Sequence, residues 1–368
     1  MSARVLEWRA MLVTDPVERL QFLQRARASP VRKNRRSALL IVTLAFAAAS
    51  AAFVEPVWRH SALPRSRFNA TLHLGQKSET APPGHVWLVE SNERFELYSN
   101  GLQVQNQFVT GTQARAYRAF ARDGLDTYAS KLRFDPAGIV FHTTESHMAP
   151  FEEDQNGTLR RAGEGMLEFV RRNHAYHFVI DRFGRVFRIV RESDYANHAG
   201  HSVWADQNWI YLNLNQSFFG VAFEAKSRPE DHGLPVNAAQ VHAARILIEM
   251  LRARYKIAAA NCVAHAQVSV NPSNHCAGYH TDWAANLPFH DLGLSDNYQR
   301  PLPSVLLFGF TSDALLAGTE GDALRPALTV AEDLLRHEAA TRGMPLARYR
   351  EILQTKYKDA MASLGRQN

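Results

Sequence analysis

Three side chains in this sequence have the types and surroundings to hold a metal ion: His142, His265 and Cys276. His142 ends the apolar run Gly138-Ile139-Val140-Phe141 and opens the polar stretch "HTTES". His265 and Cys276 lie in "CVAHAQVSVNPSNHCAGYHTDW", followed closely by Trp283. Two imidazoles and one thiolate are a donor set that zinc accepts. Three protein ligands leave a fourth position for water, which marks a catalytic rather than a structural site. A second use of Cys276 stays open. Cys262, the only other cysteine, is fourteen positions away, and a sulfur spent in a disulfide is not a thiolate ligand. His275, His280 and Asp282 are near enough in sequence to substitute as the third ligand.

These residues need a scaffold, and the hydrophobic pattern around them supplies one. A strand ends at His142, and a helix over about 157–173 packs Met166, Leu167, Phe169 and Val170. A hairpin turns at Asp181–Gly184, and a strand runs Phe218–Glu224. Val241, Ala244, Ile248 and Leu251 recur at three- and four-residue steps, which predicts a helix over 237–255. A short strand then carries His265. The fold class is α/β: a mixed central β-sheet flanked by helices, in two or three layers. Upstream, Phe95 and Leu97 alternate before Asn100-Gly101, and Leu102 and Val104 after it, a strong hairpin signal. Residues 85–110 therefore read as strands, either a small β module or an extension of the main sheet. Residues 112–131, with Tyr117, Phe120 and Leu125, read as a helix. After residue 296 two helices follow; Leu328, Ala331, Leu335 and Ala339 line one face of the first, and Gly343 and Pro345 mark the break.

Charge is uneven along the 368 residues. Residues 1–37 hold nine Lys/Arg against three acids, which leaves 33 basic and 33 acidic residues for the rest. The formal net charge of +6 therefore sits in a tail, and no basic face argues for nucleic acid. Residues 38–54 carry no charge and would span roughly 26 Å as a helix, close to a bilayer core. "RKNRRS" before them predicts a cytoplasmic N-terminus and an external remainder. A cleaved signal peptide is the rival, since "AAASAA" offers small-residue sites, but some 37 residues before the apolar run is long for a leader. The expected layout is a basic cytoplasmic tail (1–37), a transmembrane anchor (38–56), a linker with a small β-rich region (57–124), a catalytic domain (125–295) and a helical C-terminal region (296–368).

Five segments in order resemble one family. They are "GIVFHTTES", "AYHFVIDRFGRVFRI", "NHAGHSVW", "NQSFFGVAFEAK" and "HAQVSVNPSNHCAGYHTDW". The resemblance is to the zinc amidases that include phage-type lysozyme amidases, N-acetylmuramoyl-L-alanine amidases and peptidoglycan recognition proteins, and it covers roughly residues 125–295. It implies His142, His265 and Cys276 as zinc ligands and Tyr176 as the residue facing the reacting centre. It also sets His198 beside the cleft. Where many catalytic members carry a lysine, two residues before the third ligand, this chain has Asn274. Where some members carry a glutamate on the central strand, it has Ala222, with Glu224 two positions on. His177 alternates away from Tyr176 and reads as structural, and Trp283 as a packing anchor.

The resemblance implies a zinc-dependent hydrolase that cuts between N-acetylmuramic acid and L-alanine of peptidoglycan; the uncharged run 38–54 would hold it at a bacterial inner membrane, facing the periplasm or exterior. Its expected partners are peptidoglycan or muropeptides. Two other readings stay open: a non-catalytic peptidoglycan receptor or scaffold with the same cleft, favoured by Asn274, and an amidase for another acylated peptide. The sequence has no "HExxH", no "GxSxG" and no phosphate-cradling glycine loop.

Overall fold

The computed structural model describes residues 84–122, 130–226, 235–312 and 323–365. The expected tail, anchor and most of the linker lie outside them. Among the described residues no helix is long and apolar enough to cross a membrane.

The central sheet runs β1 (Leu88–Ser91), β2 (Phe95–Tyr98), β3 (Gln103–Gln105), β8 (Val186–Arg188), β7 (Phe178–Ile180), β11 (Phe218–Phe223), β6 (Gly138–Thr143) and β12 (Cys262–Ala264) from edge to edge. Strands β7, β11, β6 and β12 are mutually parallel, so their C-terminal ends share one edge. All six residues of β6 and of β11 are buried. That matches their near-continuous apolar sequence, since a parallel strand covered on both faces has no polar side. The hairpin at Asn100-Gly101 joins β2 to β3, with Gly101 at φ +85°. It extends the main sheet, because β3 pairs with β8.

Alternation along the strands sorts the layers. Ile139, Phe141, Phe219, Val221 and Phe223 face one way, in the core shared with Ala244, Leu247, Ile248 and Leu251 of α2 (Ala238–Tyr255). Each fully buried aromatic contributes roughly 1.5–3 kcal/mol relative to exposure. A reciprocal capping box between Asn237 and Gln240 starts α2 where the sequence places it. On the other face, Val179 and Ala222 meet Met166, Leu167 and Val170 of α1 (Asn156–Arg172). Val140, Phe218 and Val263 instead meet a four-stranded antiparallel sheet of β5 (Ser130–Arg133), β4 (Tyr117–Ala121), β10 (Trp209–Leu212) and β9 (Val203–Ala205). His142, in register with Ala222, falls on this second face at the C-terminal edge.

Residues 117–121 therefore form a strand, not part of the helix expected over 112–131, and 123–129 lie outside the described residues. The reason is non-local. β10, far along the chain, pairs with β4, and Tyr117 and Ala119 alternate into the layer over Val140.

A short helix α3 (His265–Val268) follows β12. A small sheet of β13 (Val270–Asn271), β14 (Cys276–Ala277) and β15 (Thr311–Ser312) lies beyond it. The C-terminal region comprises α4 (Pro303–Phe308), α5 (Arg325–Thr341) and α6 (Leu346–Gly365), with Gly343 at φ +66° breaking α5 from α6. Leu328, Leu335, Leu353 and Tyr357 belong to the same core as Phe141 and Phe223. The helices thus cover the main domain.

Candidate metal centre

In parallel α/β sheets the crevice outside the C-terminal strand ends is where ligands bind. Here β6 delivers His142 to that edge. Phe141 pairs with Ala264, so His265, the next residue after β12, arrives beside His142. The two rings lie 4.4 Å apart, and both residues are buried. Between them stands Asp282. Its Oδ1 is 2.7 Å from His265 Nδ1 and its Oδ2 is 3.1 Å from His142 Nδ1. Among the described residues, His142, His265 and Asp282 form the group able to hold a metal ion, with ligand atoms all within 4.8 Å of one another.

Burial alone would raise the Asp282 carboxyl, but the charge of His265 and hydrogen bonds from both imidazoles hold it well below the usual carboxylate range. Burial and the neighbouring His265 push His142 down to about 4, against the pull of Asp282. His198 continues the chain. Its Nδ1 is 3.1 Å from His142 Nε2, and its Nε2 is 3.2 Å from the Phe218 carbonyl. Burial, His142 and His177 lower the His198 pKa well below the ordinary value.

This chain of contacts tests whether a cation fits. Hydrogen bonds at all three contacts, Asp282 to His142, His142 to His198, and His198 to Phe218 O, require three ring protons on two imidazoles. Burial opposes that extra proton. A divalent cation on the Nδ1 side of His142 removes the conflict: His142 Nε2–H donates to His198, His198 Nε2–H donates to the carbonyl, and both rings stay neutral. A ligating histidine whose other nitrogen is fixed by an outer partner is the usual arrangement of such sites. His265 Nε2 is buried without a hydrogen-bond partner, a ring nitrogen whose capacity the protein leaves unspent. Two imidazoles and a carboxylate suit zinc and leave a position open.

Cys276 is not in this group. Its thiol donates to Asn274 O and lies 3.7 Å from Thr311 Oγ1. Cys262 and Cys276 are both free thiols, and burial pushes Cys262 up to about 12. The third member of the histidine group is thus Asp282, which the sequence offers only as one substitute among several. Its distinguishing signal is spatial: Ala266 N donates to Asp282 O, which folds the segment back onto α3. His280 stacks on His265 at 4.7 Å. His275 faces Phe310.

Tyr176 stands beside the trio, its ring 5.0 Å from that of His142. Its φ of +61° is unusual for an aromatic residue and places it among the strained positions that gather at functional sites. Tyr176 N–H donates to Asn197 O, tying the hairpin to the "NHAG" turn. Asn215 Oδ1 accepts from the backbone N–H of both His198 and Ala199, which explains the first position of "NQS". A Cβ at Gly220 would sit 2.6 Å from His198 Cγ, so only glycine leaves that ring its place.

Of the other expected residues, His177 is fully buried: Gly220 N–H donates to its Nδ1, and burial and the Arg115 cation hold it neutral. Glu224 follows β11, and its Oε2 accepts from Arg182 N–H at the β7–β8 turn; burial raises its carboxyl. Asn274 is exposed, its Oδ1 accepting from Cys276 N–H in its own turn. Trp283 is fully buried against Phe223.

A buried histidine–carboxylate centre at the C-terminal edge of a mixed α/β sheet defines a candidate metallohydrolase. Residues 130–282 match the model of the family described as N-acetylmuramoyl-L-alanine amidase. That match spans under half of the chain. Solved structures similar to it include the amidase LysC from Clostridium intestinale, at 20% identity over 50% of this chain and 93% of that one, with a TM-score of 0.28. The amidase AmiD from E. coli, in complex with anhydro-N-acetylmuramic acid-L-Ala-D-gamma-Glu-L-Lys, is 21% identical over 55% and 65%, with a TM-score of 0.33. AmpDh3 from Pseudomonas aeruginosa, in complex with anhydromuramic pentapeptide, is 21% identical over 54% and 82%, with a TM-score of 0.34. No curated protein matches the chain.

Proposed function

We propose that this chain is a zinc-dependent amidase that hydrolyses the bond between the lactyl group of N-acetylmuramic acid and L-alanine of the peptidoglycan stem. The observation that carries this reading is the convergence of His142, His265 and Asp282 within 4.8 Å. These three would hold the ion. Zinc, when bound, supplies Lewis acidity: it polarises a carbonyl and makes water acidic enough to attack near neutral pH. His198 Nδ1 takes the His142 Nε2 proton in a hydrogen bond, which fixes the ring. Tyr176, whose ring lies 5.0 Å from that of His142, would donate its phenolic proton in a hydrogen bond to the oxyanion that develops on the scissile carbonyl.

Residues 38–54 would anchor the protein in a bacterial inner membrane with the catalytic domain outside the cytoplasm. Protease added to intact spheroplasts should then degrade the catalytic domain; full protection would contradict this placement. With Asp282 as the third ligand, the position two residues before it is His280 rather than Asn274, so Asn274 no longer favours the second reading, a peptidoglycan-binding receptor. Mass spectrometry of muropeptides incubated with the zinc-loaded protein separates the two. Free stem peptides beginning with L-alanine, lost on chelation, support the amidase. Binding without release supports the receptor.

A further inference from the structure

The segment from Cys276 to Asp282 is stitched on one side to the end of α3. Gly278 N–H donates to Ser269 O, His280 N–H donates to Ser269 Oγ, and Ser269 Oγ–H donates to His280 O. On its other side it meets the C-terminal region. Strand β15 pairs in parallel with β14, Thr311 opposite Cys276 and Ser312 opposite Ala277. Thr311 N–H donates to His275 O at 2.9 Å.

The helices hold β15 in turn. Arg350 of α6 donates from Nη1 to Phe310 O at 2.9 Å and to Gly309 O at 3.3 Å, and its Nη2 pairs with Glu332 of α5. Gln354 donates to Gly309 O. Gly309, at φ +65°, packs so closely on α6 that a Cβ would lie 3.1 Å from Arg350 Cα. The Phe310 ring is fully buried between His275 and Tyr357. A guanidinium bonded to two carbonyls and a carboxylate, with its ends on two helices, is a costly device for a tail that only covers a core.

We propose that the C-terminal helical region is a splint for metal binding. Through Thr311–Ser312 it holds residues 275–282 on the course that presents Asp282 to His142 and His265, and Arg350 is the positioning residue that locks the splint. The ligand retained is a divalent cation. The inference rests on the metal reading of the trio. It goes beyond the family domain, because β15, α5 and α6 all lie outside residues 130–282.

The test measures Zn²⁺ affinity of the full chain by competition with a chromophoric chelator, alongside the metal-free melting temperature. The variants are Thr311→Pro, which deletes the N–H donated to His275, and Arg350→Met and Arg350→Lys. Thr311→Pro and Arg350→Met should each weaken zinc by about tenfold or more, the scale of losing a residue that orients a ligand. Arg350→Lys should recover most of the loss. Amide exchange at Gly278 and His280 should speed up in Arg350→Met, which reads the splint even if Thr311→Pro does not fold. Zinc affinity within about twofold of the parent in both variants, with unchanged exchange, would overturn the proposal. His142→Ala separates the two levels: parent zinc binding that ignores His142 defeats the metal reading itself, whereas His142-dependent binding that ignores Arg350 and Thr311 defeats only the splint.

Discussion

The Asp282 carboxylate lies 2.7 Å from one imidazole nitrogen and 3.1 Å from another, whereas the Cys276 sulfur faces Asn274 and Thr311. The two possible third ligands therefore make opposite predictions. Asp282→Asn keeps the shape but removes the charge, and a ligand change should cost more than the 10–100-fold typical of outer-shell losses, so roughly a hundredfold or more in zinc affinity. Cys276→Ser should leave zinc affinity nearly unchanged. Isothermal titration of both variants checks this, and the reverse pattern would restore the cysteine as ligand. His198→Ala removes only the partner of His142 Nε2 and should weaken zinc by about 10–100-fold, measured in the same titration. At this scale the sequence was half legible. His142 and His265 stand out because an apolar strand delivers each to a polar end. Asp282 does not, because its approach depends on a backbone bond back to Ala266 that no local pattern announces.

Strands β7 and β11 meet through His177 and Gly220, and this joint responds to acid. His177 is buried and held neutral by burial and by Arg115, while Gly220 N–H donates to its Nδ1. Its folded pKa is depressed, so below about pH 6.5 the unfolded chain binds a proton that the folded chain refuses. Stability from this residue is fully present above that pH and falls as pH drops below it, with a slope of up to about 1.4 kcal/mol per pH unit. Denaturant titrations from pH 7.5 to 5 should show a shallower fall in His177→Asn than in the parent; equal slopes would remove His177 as the cause. Gly220→Ala places a methyl group against His198 and should cost about 1–3 kcal/mol by overpacking, while weakening zinc as His198→Ala does. Element by element, the local signals served well. The spacing of Val241, Ala244, Ile248 and Leu251, the Asn100-Gly101 turn and the apolar runs of β6 and β11 each led to the element found. Strand β4 escaped because Tyr117 and Phe120 fit a helical spacing locally, and the partner strand that overrides it begins only at Trp209.

Across the whole molecule, the C-terminal helices share one core with the central sheet: Leu335, Leu353 and Tyr357 with Phe141 and Phe223. Leu335→Ala should therefore destabilise the entire domain by about 2–5 kcal/mol, in a single transition seen alike by aromatic fluorescence and by far-ultraviolet dichroism. Two separated transitions would show instead that the helices fold apart. The continuity of this core was not legible in the helical periodicity, which shows that a helix has a face to bury but not what covers it. The proposed function requires that His142, His265 and Asp282 bind zinc in order to cut an amide. Its most direct measurement is mass spectrometry of purified muropeptides incubated with the full chain, with zinc, with chelator, and with Asp282→Asn in place of the parent. The account predicts stem peptides starting at L-alanine from the zinc-loaded parent alone. Equal release by Asp282→Asn, or release that survives chelation, would contradict it.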